Sequence, residues 1–321
     1  MIERLSAPFL HGGARPRDLL LDVPLALLPP LIIAAYFYGL RVILLALCAV
    51  LAAGVCEWLC GRLMKRPALK DGTFLSLGLI TALLCPASAP YWLAAAGAAF
   101  GAVFGKMVFG GHGRAVFPPA AAGWAFMALS APDTFFTFPG ADLHRALPLA
   151  NSFAFQREDS VAALLQNGVT PSVSFAELLA GRFAGPMGVT SVLLLFIGAL
   201  YLAYRRCAQF RASAAFLAVS LIGGVIFPET GDVVTGAVIA LAAEGLLFAA
   251  VFLLSDPSVT PRTRGGQWLL GTLAGLLTLL FSRVGYFAPC APLAVLLTCP
   301  LSRLCDRAVW RVRERGAAHG R

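Results

Sequence analysis

A glycine-rich segment at residues 105–113 combines a flexible backbone with cationic side chains. It holds four glycines in nine residues, with Lys106 inside it and Arg114 directly after it. Successive backbone N–H groups in such a turn can bind an anion. The segment does not end in Gly-Lys-Ser or Gly-Lys-Thr, so it is not a nucleotide-binding P-loop. Two interpretations stay open: an anion-binding turn, or a tight turn between membrane helices whose basic residues set orientation.

Two carboxylates fall in or near strongly apolar sequence. Glu244 lies within the apolar run 233–254, where a carboxylate costs about 2.5–3.5 kcal/mol on membrane-insertion scales. It is therefore expected to be a cation or proton relay, or a carboxyl hydrogen-bonded within the helix bundle or against another subunit. Glu57 lies near the end of another apolar run, close to Arg62. We expect Glu57 to be a solvated or paired surface residue.

The cysteines and histidines do not form a recognisable metal site. Cys56 and Cys60 are four residues apart, but no matching pair lies near them in sequence and C-x-x-C does not occur. Most of the eight cysteines are expected to be small buried hydrophobic residues or reduced thiols. An iron or iron–sulfur site at a subunit interface, contributed partly by Cys56 or Cys60, is the alternative. The four histidines share no ligand spacing, and we expect no metal site and no complete catalytic site in this chain.

Composition indicates which elements must position these residues. Of the 321 residues, 59% are hydrophobic and 13% are charged, against about 45–50% and about 25% in soluble domains. The apolar residues recur in stretches long enough to cross a hydrocarbon core of about 30 Å. The predicted fold class is an all-α polytopic membrane protein with about ten transmembrane helices. The predicted spans are 19–39, 42–60, 73–89, 91–109, 116–131, 188–204, 212–228, 233–254, 267–283 and 286–302.

The basic residues indicate how these spans are oriented. With both termini in the cytoplasm, 20 of the 25 Lys and Arg residues fall on the cytoplasmic side, in agreement with the positive-inside rule. The net charge of +9 then reflects topology and contact with the anionic lipid bilayer. Nucleic acid is not an expected partner, because no aromatic residues interleave the charges. A multi-pass protein of the inner (plasma) membrane is expected. The basic residues outside the pattern are Arg41, Arg145, Arg157, Arg182 and Arg283.

One long polar segment divides the chain into two halves with five predicted spans each. The expected organisation is a first five-helix membrane half at 1–131, an extracytoplasmic loop at 132–187, a second five-helix half at 188–302, and a basic cytoplasmic tail at 303–321. Because five is odd, the second half enters the membrane in the opposite orientation, which predicts an inverted repeat.

The two halves carry proline interruptions at comparable positions. The third span runs into Cys85–Pro86 and the eighth runs into Asp256–Pro257. Interrupted spans at corresponding positions of two repeats are where a midplane binding site is expected. Asp256 itself is expected either to cap a helix end or to hold a neighbouring arginine.

Motifs along nearly the whole chain resemble a known family. The most specific are Gly-Lys-x-x-Phe-Gly-Gly-x-Gly at 105–113 and Asp256-Pro257 with the Thr-Pro and glycine that follow it; Leu79–Pro86 and Lys70-Asp71-Gly72 add to them. The chain resembles the D subunit of Rnf-type electron-transport complexes and the B subunit of sodium-pumping NADH:quinone reductase. The resemblance implies a membrane electron-transfer subunit of an ion-translocating oxidoreductase of the ferredoxin/NAD type. Such a subunit passes electrons through a flavin, is coupled to sodium or proton transport, and works with other subunits of a complex.

The resemblance also implies a cofactor site. In the family, the threonine of a D-x-x-[S/T]-G-A-T motif on an outer loop carries FMN through a phosphoester, and the flavin supplies the redox chemistry. The matching segment here is Leu164–Pro171, in which Gly168 and Thr170 agree with the motif. Leu164 stands in place of the motif aspartate, and Asn167 and Val169 also depart from it. Thr170 is thus the candidate covalent FMN acceptor. The alternatives are a hydroxyl in an Asn-Gly turn, and a flavin bound non-covalently between the halves.

Two other functions suit parts of this pattern. A non-redox inverted-repeat transporter or channel for a small solute or cation would also use the glycine-rich turns and Glu244. A scaffold that docks another flavoprotein subunit is the third possibility.

Overall fold

The computed structural model describes residues 16–65, 72–111, 113–140, 157–158, 160–161, 164, 174–205, 208–226, 239, 241–284 and 289–319. Within these ranges the chain is almost entirely helical. The one sheet among them is an antiparallel pair of two-residue strands, β1 (Phe138–Pro139) and β2 (Arg157–Glu158). The prediction of an all-α protein is confirmed.

The helices of the N-terminal part follow the predicted apolar runs. The fourth changes from α-helical to π-helical hydrogen bonding without a break. They are α1 (Pro16–Tyr38), α2 (Leu40–Leu63), α3 (Thr73–Leu83), α4 (Tyr91–Phe100) with its π-helical continuation Gly101–Met107, α5 (Pro119–Ser130) and the single turn α6 (Pro132–Phe135).

The C-terminal part is also built of helices of varied length, and it contains a second π-helical segment. A capping box between Ser174 and Glu177 begins its first helix. The helices are α7 (Phe175–Ala180), α8 (Val192–Arg205), α9 (Phe210–Ile226), α10 (Leu246–Phe248) with its π-helical continuation Ala249–Leu253, α11 (Arg264–Val284), α12 (Ala291–Thr298) with a 3₁₀ turn Cys299–Leu301, and α13 (Ser302–His319).

Within the described residues, three helices are long and apolar enough to cross a bilayer by length and composition: Leu21–Tyr38, Leu40–Leu63 and Arg264–Val284. Shorter apolar helices accompany them, among them α3, α8 and α9. These elements make the chain a membrane protein, while the number of ten spans stays a prediction. The helices observed at the third and eighth predicted spans are much shorter than the predicted spans. α3 has 11 residues and the described helix Leu246–Leu253 is shorter still, against the roughly 20 that a full crossing needs.

The second helix shows how the bundle is built. Its exposed face carries Leu47, Leu51 and Val55, four residues apart and thus on one side of the helix, as a lipid-facing surface requires. Its buried face carries Ala46, Ala49 and Ala53, small residues that allow helices to approach closely. α2 packs through this face along α3 and α4.

The two parts of the chain contact each other at several places. α1 packs on α8, and α12 packs on α5. Asp22 of α1 accepts a hydrogen bond from the Tyr201 hydroxyl (2.9 Å) and forms an ion pair with Arg205 (3.0 Å); both partners lie on α8. Within the second part, α9 and α11 make the most extensive contact. The predicted basic tail is helical in the structure, and Asp306 of α13 accepts the backbone N–H groups of Arg262 and Thr263 just before α11.

Candidate functional site

The third helix ends inside the bundle, and a buried arginine holds the chain beyond it. α3 stops at Leu83, before Cys85–Pro86. Arg41 of α2 is 1% exposed and donates to the carbonyl oxygens of Ala87 (2.8 Å) and Ala89 (2.7 Å). Its guanidinium also lies over the Tyr91 ring, 4.8 Å from the centroid. Arg41 thus stabilises a segment whose carbonyls have no helical partners.

A segment at the boundary between the predicted outer loop and the second half completes the end of α3. The Gly188 N–H donates to the Leu83 carbonyl (2.8 Å), and the Met187 N–H donates to the Cys85 carbonyl (3.0 Å). Backbone groups of a broken helix need such partners at membrane depth, because lipid offers none. The last residues of the predicted loop 132–187 therefore belong to the helix bundle.

The second broken helix begins at a glycine. Gly245 has a φ of 69°, a left-handed conformation that favours glycine, and it separates residues 241–243 from the helix Leu246–Leu253. All eight side chains of this helix are buried. Glu244 lies in the turn just before it and is 6% exposed. The predicted intramembrane carboxylate therefore lies at a helix break inside the bundle.

The two broken helices run antiparallel. Thr73 and Ser76, at the start of α3, line one small cavity with Phe252 and Leu253, at the end of the second broken helix. At the other end, Gly245 lies beside Val189, which follows the segment bonded to the end of α3. This juxtaposition places the start of each helix near the end of the other.

A buried ion pair lies where these helices meet. Lys106, in the π-helical continuation of α4, places its Nζ 2.5 Å from Oε1 of Glu57 in α2. The same ammonium donates to the hydroxyl of Thr73, the first residue of α3. Lys106 is 5% exposed and Glu57 is 2% exposed. Taking both charges out of water is costly, and the pair offsets that cost by mutual attraction and the added hydroxyl.

The expectation that Glu57 is a solvated or paired surface residue is wrong about its location, because Glu57 is paired but buried inside the bundle. Arg62, the neighbour that suggested it, lies over the Trp58 ring instead, 4.9 Å from its centroid. Glu57 continues the buried stripe of Ala49 and Ala53 at four-residue spacing, so its side chain faces the bundle. That stripe of small residues was the sequence signal for the inward orientation. The partner itself, 49 residues away, had no signal in local sequence.

Lys106 of this pair borders a cavity, called here the Lys106 cavity, with a volume of about 50 Å³. Its polar lining comes from Thr73, Ser76, Lys106 and Asp256, and Pro118–Pro119 close another side. A volume of this size holds only a few water molecules or a small ion. Lys106 of the first half and Asp256 of the second half therefore line one cavity, and the ion pair links Glu57 to Lys106.

Asp256 is held in place by its own turn. Its Oδ1 accepts the Ser258 N–H (2.8 Å), and its carbonyl accepts the Thr260 hydroxyl (3.0 Å). The side chain therefore closes a turn in the segment between two helices, which differs from the expected cap on a helix end. Gln209 and Gln267 support the turn, with Gln267 donating to the Pro261 carbonyl (3.0 Å) and to Gln209 (2.7 Å).

The glycine-rich segment forms a turn whose lysine points away from it. Gly110, Gly111 and Gly113 all have positive φ values, between 85° and 101°. The Gly111 N–H donates to the Lys106 carbonyl (3.1 Å), which closes the π-helical segment. Because the Lys106 ammonium pairs with Glu57, its charge serves the bundle interior, not an anion in the turn.

Comparison with known proteins decides the family. The model of the NQR2, RnfD, RnfE family matches residues 4–313. The chain belongs to this family. It is similar to the D subunit of the ion-translocating oxidoreductase complex of Actinobacillus succinogenes (27% identity, covering 100% of this chain and 99% of the relative) and to that of Stutzerimonas stutzeri (31%, 93% and 91%). It is also similar to the D subunit of the Na⁺-translocating ferredoxin:NAD⁺ oxidoreductase complex of Acetobacterium woodii (27%, 94% and 92%). The predicted resemblance is confirmed.

The remaining predicted residues of this NQR2, RnfD, RnfE family member fall in different places. Thr170, the candidate FMN acceptor, lies outside the described residues, so its role stays a prediction. Cys56 and Cys60 are half-buried. Within the described part of the chain, no group of three or more His, Cys, Asp or Glu side chains gathers in a way that could hold a metal ion.

Proposed function

We propose that this member of the NQR2, RnfD, RnfE family is the membrane electron-transfer subunit of an ion-translocating oxidoreductase in the inner membrane. Its relatives are named as subunits of such complexes, which supports partner subunits, a ferredoxin/NAD couple and coupling to sodium or proton movement. The proposal includes ten spans arranged as a 5+5 inverted repeat, with both termini in the cytoplasm. The antiparallel broken helices support that arrangement.

The proposal that this chain takes part in ion translocation rests on the Lys106–Glu57 ion pair beside the Lys106 cavity. A Lys ammonium is a compact point charge on a flexible stem. In this position it is a tethered cation that balances Glu57 while no mobile cation is present. A proton or sodium ion entering the Lys106 cavity would compete with it for the carboxylate, with Asp256 and the Thr73 hydroxyl as neighbouring oxygen ligands.

This competition for Glu57 couples the entry of the mobile cation to the displacement of the Lys106 ammonium. When Glu57 accepts the mobile cation, the Lys106 ammonium is released from its partner and repels the arriving charge. The site therefore holds the ion only transiently, as a translocation path needs. Glu244, at the break of the opposite helix, is the candidate for a second relay position along the same path.

The test uses the complete complex purified from its native host and reconstituted in liposomes. Electron transfer and ion uptake are measured together for Lys106→Met and Glu57→Gln, with Arg62→Gln as the matched control at an exposed cation. Both site variants are expected to keep donor oxidation and lose most ion uptake. Wild-type uptake in Lys106→Met would overturn the role given to the pair.

The redox part rests on a flavin, with Thr170 as the proposed covalent acceptor of FMN. A bound flavin would supply reversible electron transfer, and the protein would supply its position. Intact mass of the chain and in-gel flavin fluorescence test this, with Thr170→Ala against the neighbouring Ser172→Ala. An FMN-sized mass gain lost only in Thr170→Ala is expected. An unmodified wild-type chain without fluorescence would contradict the covalent link and leave a non-covalent flavin to be sought by extraction.

The alternative is a non-redox transporter of the same architecture. The departures of Asn167 and Val169 from the flavin motif favour it. A purified complex that moves ions without containing any flavin would decide for this alternative.

A further inference from the structure

An apolar groove runs along the surface where three helices of the two halves meet. It has a volume of about 440 Å³ and is walled by Phe100 and Phe104, by Ala125 and Phe126 of α5, and by Leu296 and Pro300. The Phe100 and Phe126 rings stack with centroids 4.6 Å apart and planes 12° from parallel. Stacked aromatic rings make this wall firm. The groove therefore has a definite shape.

Its length and chemistry suit a hydrocarbon chain. The α5 wall extends from Ala122 to Leu129, at one-face helical spacing and about 10 Å along the axis. Ser130 is the one hydroxyl-bearing residue among those that line it. A groove this apolar offers almost no hydrogen bond to a polar ligand, and the membrane that surrounds a protein of this family supplies acyl chains.

The two ends of the groove differ in charge. In the proposed topology, on which this step rests, Phe117 and Pro300 lie at the cytoplasmic end of the groove. Arg303 follows Pro300 by three residues in a continuous helix and thus lies on the same face, and Arg114 comes three residues before Phe117 in the chain. Both arginines are exposed, and neither is ion-paired with another described residue. At the outer end in that topology, Asp133 comes three residues after Ser130 in the chain. A bound amphiphile with an anionic head is therefore oriented with its head towards the arginines.

We propose that this groove binds one acyl chain of an anionic phospholipid, with its phosphate held by Arg114 and Arg303. The site is specific in two separable ways. The aromatic walls accept the chain whatever its headgroup, and the arginines select negative charge. The bound lipid seals the contact between α5 and α12, and with it one contact between the halves.

The test is native mass spectrometry of the delipidated complex after addition of phosphatidylglycerol or phosphatidylcholine of equal chain length. Wild type is expected to retain phosphatidylglycerol at least about tenfold more strongly. Ala125→Trp fills the groove and is expected to lose both lipids, whereas Leu200→Trp, at an exposed site on another helix, keeps wild-type retention. The double variant Arg114→Gln/Arg303→Gln is expected to lose the preference between headgroups, whereas Arg211→Gln preserves it.

Three outcomes would overturn the proposal. The first is equal retention of the two lipids by wild type, and the second is unchanged phosphatidylglycerol retention in Ala125→Trp. The third is a wild-type complex that takes up no lipid while Ala125→Trp loses a partner subunit. That last result would show a protein helix in the groove.

Discussion

Three buried charged side chains show how single residues are tolerated inside this bundle. Lys106 and Glu57 compensate each other directly. Arg41 spreads its charge over the backbone carbonyls of Ala87 and Ala89 and the face of Tyr91. Guanidinium geometry suits this task, because its several donors lie in one plane and its face stacks on aromatic rings. The ion pair and the arginine–carbonyl contacts are therefore expected to respond differently to mutation.

For the ion pair we expect strong non-additivity. Glu57→Gln or Lys106→Met alone leaves one uncompensated buried charge and should lower the free energy of unfolding by about 3–5 kcal/mol. The double variant removes both charges and should lose less than either single variant. Thermal unfolding of the purified complex in detergent measures this cycle. Losses that simply add would mean that the two side chains do not interact.

For Arg41 the informative change is to lysine, which preserves the charge. A single ammonium cannot reach the Ala87 and Ala89 carbonyls and also cover Tyr91, so Arg41→Lys should cost about 1.5–3 kcal/mol. Arg211→Lys, at an exposed site, is the control and should change stability by less than about 0.5 kcal/mol. Comparison of the two melting temperatures checks the expectation. Equal melting temperatures would mean that charge alone matters at residue 41.

At the scale of elements, close helix contacts depend on the absence of side chains. In α11, a Cβ atom built on Gly271 would lie 2.2 Å from the Ala212 carbonyl oxygen of α9. In α9 itself, a Cβ built on Gly224 would meet nothing within 4 Å. The two glycines lie on the same pair of packed helices but differ in what surrounds them.

This difference makes a matched pair of substitutions. Alanine is favoured over glycine in a helix by about 1 kcal/mol, so Gly224→Ala should be neutral or slightly stabilising. Gly271→Ala forces the backbones of α9 and α11 apart and should cost about 1–3 kcal/mol. Fluorescence-detected size exclusion after heating ranks the variants. A Gly271→Ala protein as stable as Gly224→Ala would contradict the contact.

Elements whose ends depend on local sequence were predicted well, and elements whose ends depend on distant residues were not. Span positions were predicted within a few residues for α1 and α2, because long apolar runs alone specify them. The shortness of α3 was not predicted, since its end depends on Arg41 and on Met187 and Gly188, which are distant in sequence. For the site, Glu244 was correctly placed in the interior. The burial of Glu57 was missed although the stripe of small residues indicated it, and its partner could not be predicted because Lys106 lies 49 residues away.

At the scale of the whole molecule, the proposed topology makes a directional prediction. In a cysteine-free background, Arg311→Cys on α13 should react with a membrane-impermeant maleimide only in inside-out vesicles. Ser174→Cys, in the predicted outer loop, should react only in right-side-out vesicles. Both positions are exposed, so access and not burial decides the labelling. Labelling of both cysteines from the same side would contradict an odd number of spans after the loop.

The hydrogen bonds at the end of α3 also bear on how the chain is made. The carbonyls of Leu83 and Cys85 receive their donors from Gly188 and Met187, which leave the ribosome roughly 100 residues later. At about 5–20 residues per second, the first half waits roughly 5–20 seconds with these acceptors unmet. A short helix with open carbonyls is poorly soluble in lipid, so during synthesis α3 must rest in the insertion machinery or at the membrane surface. The first half thus completes its insertion only after the second half has begun.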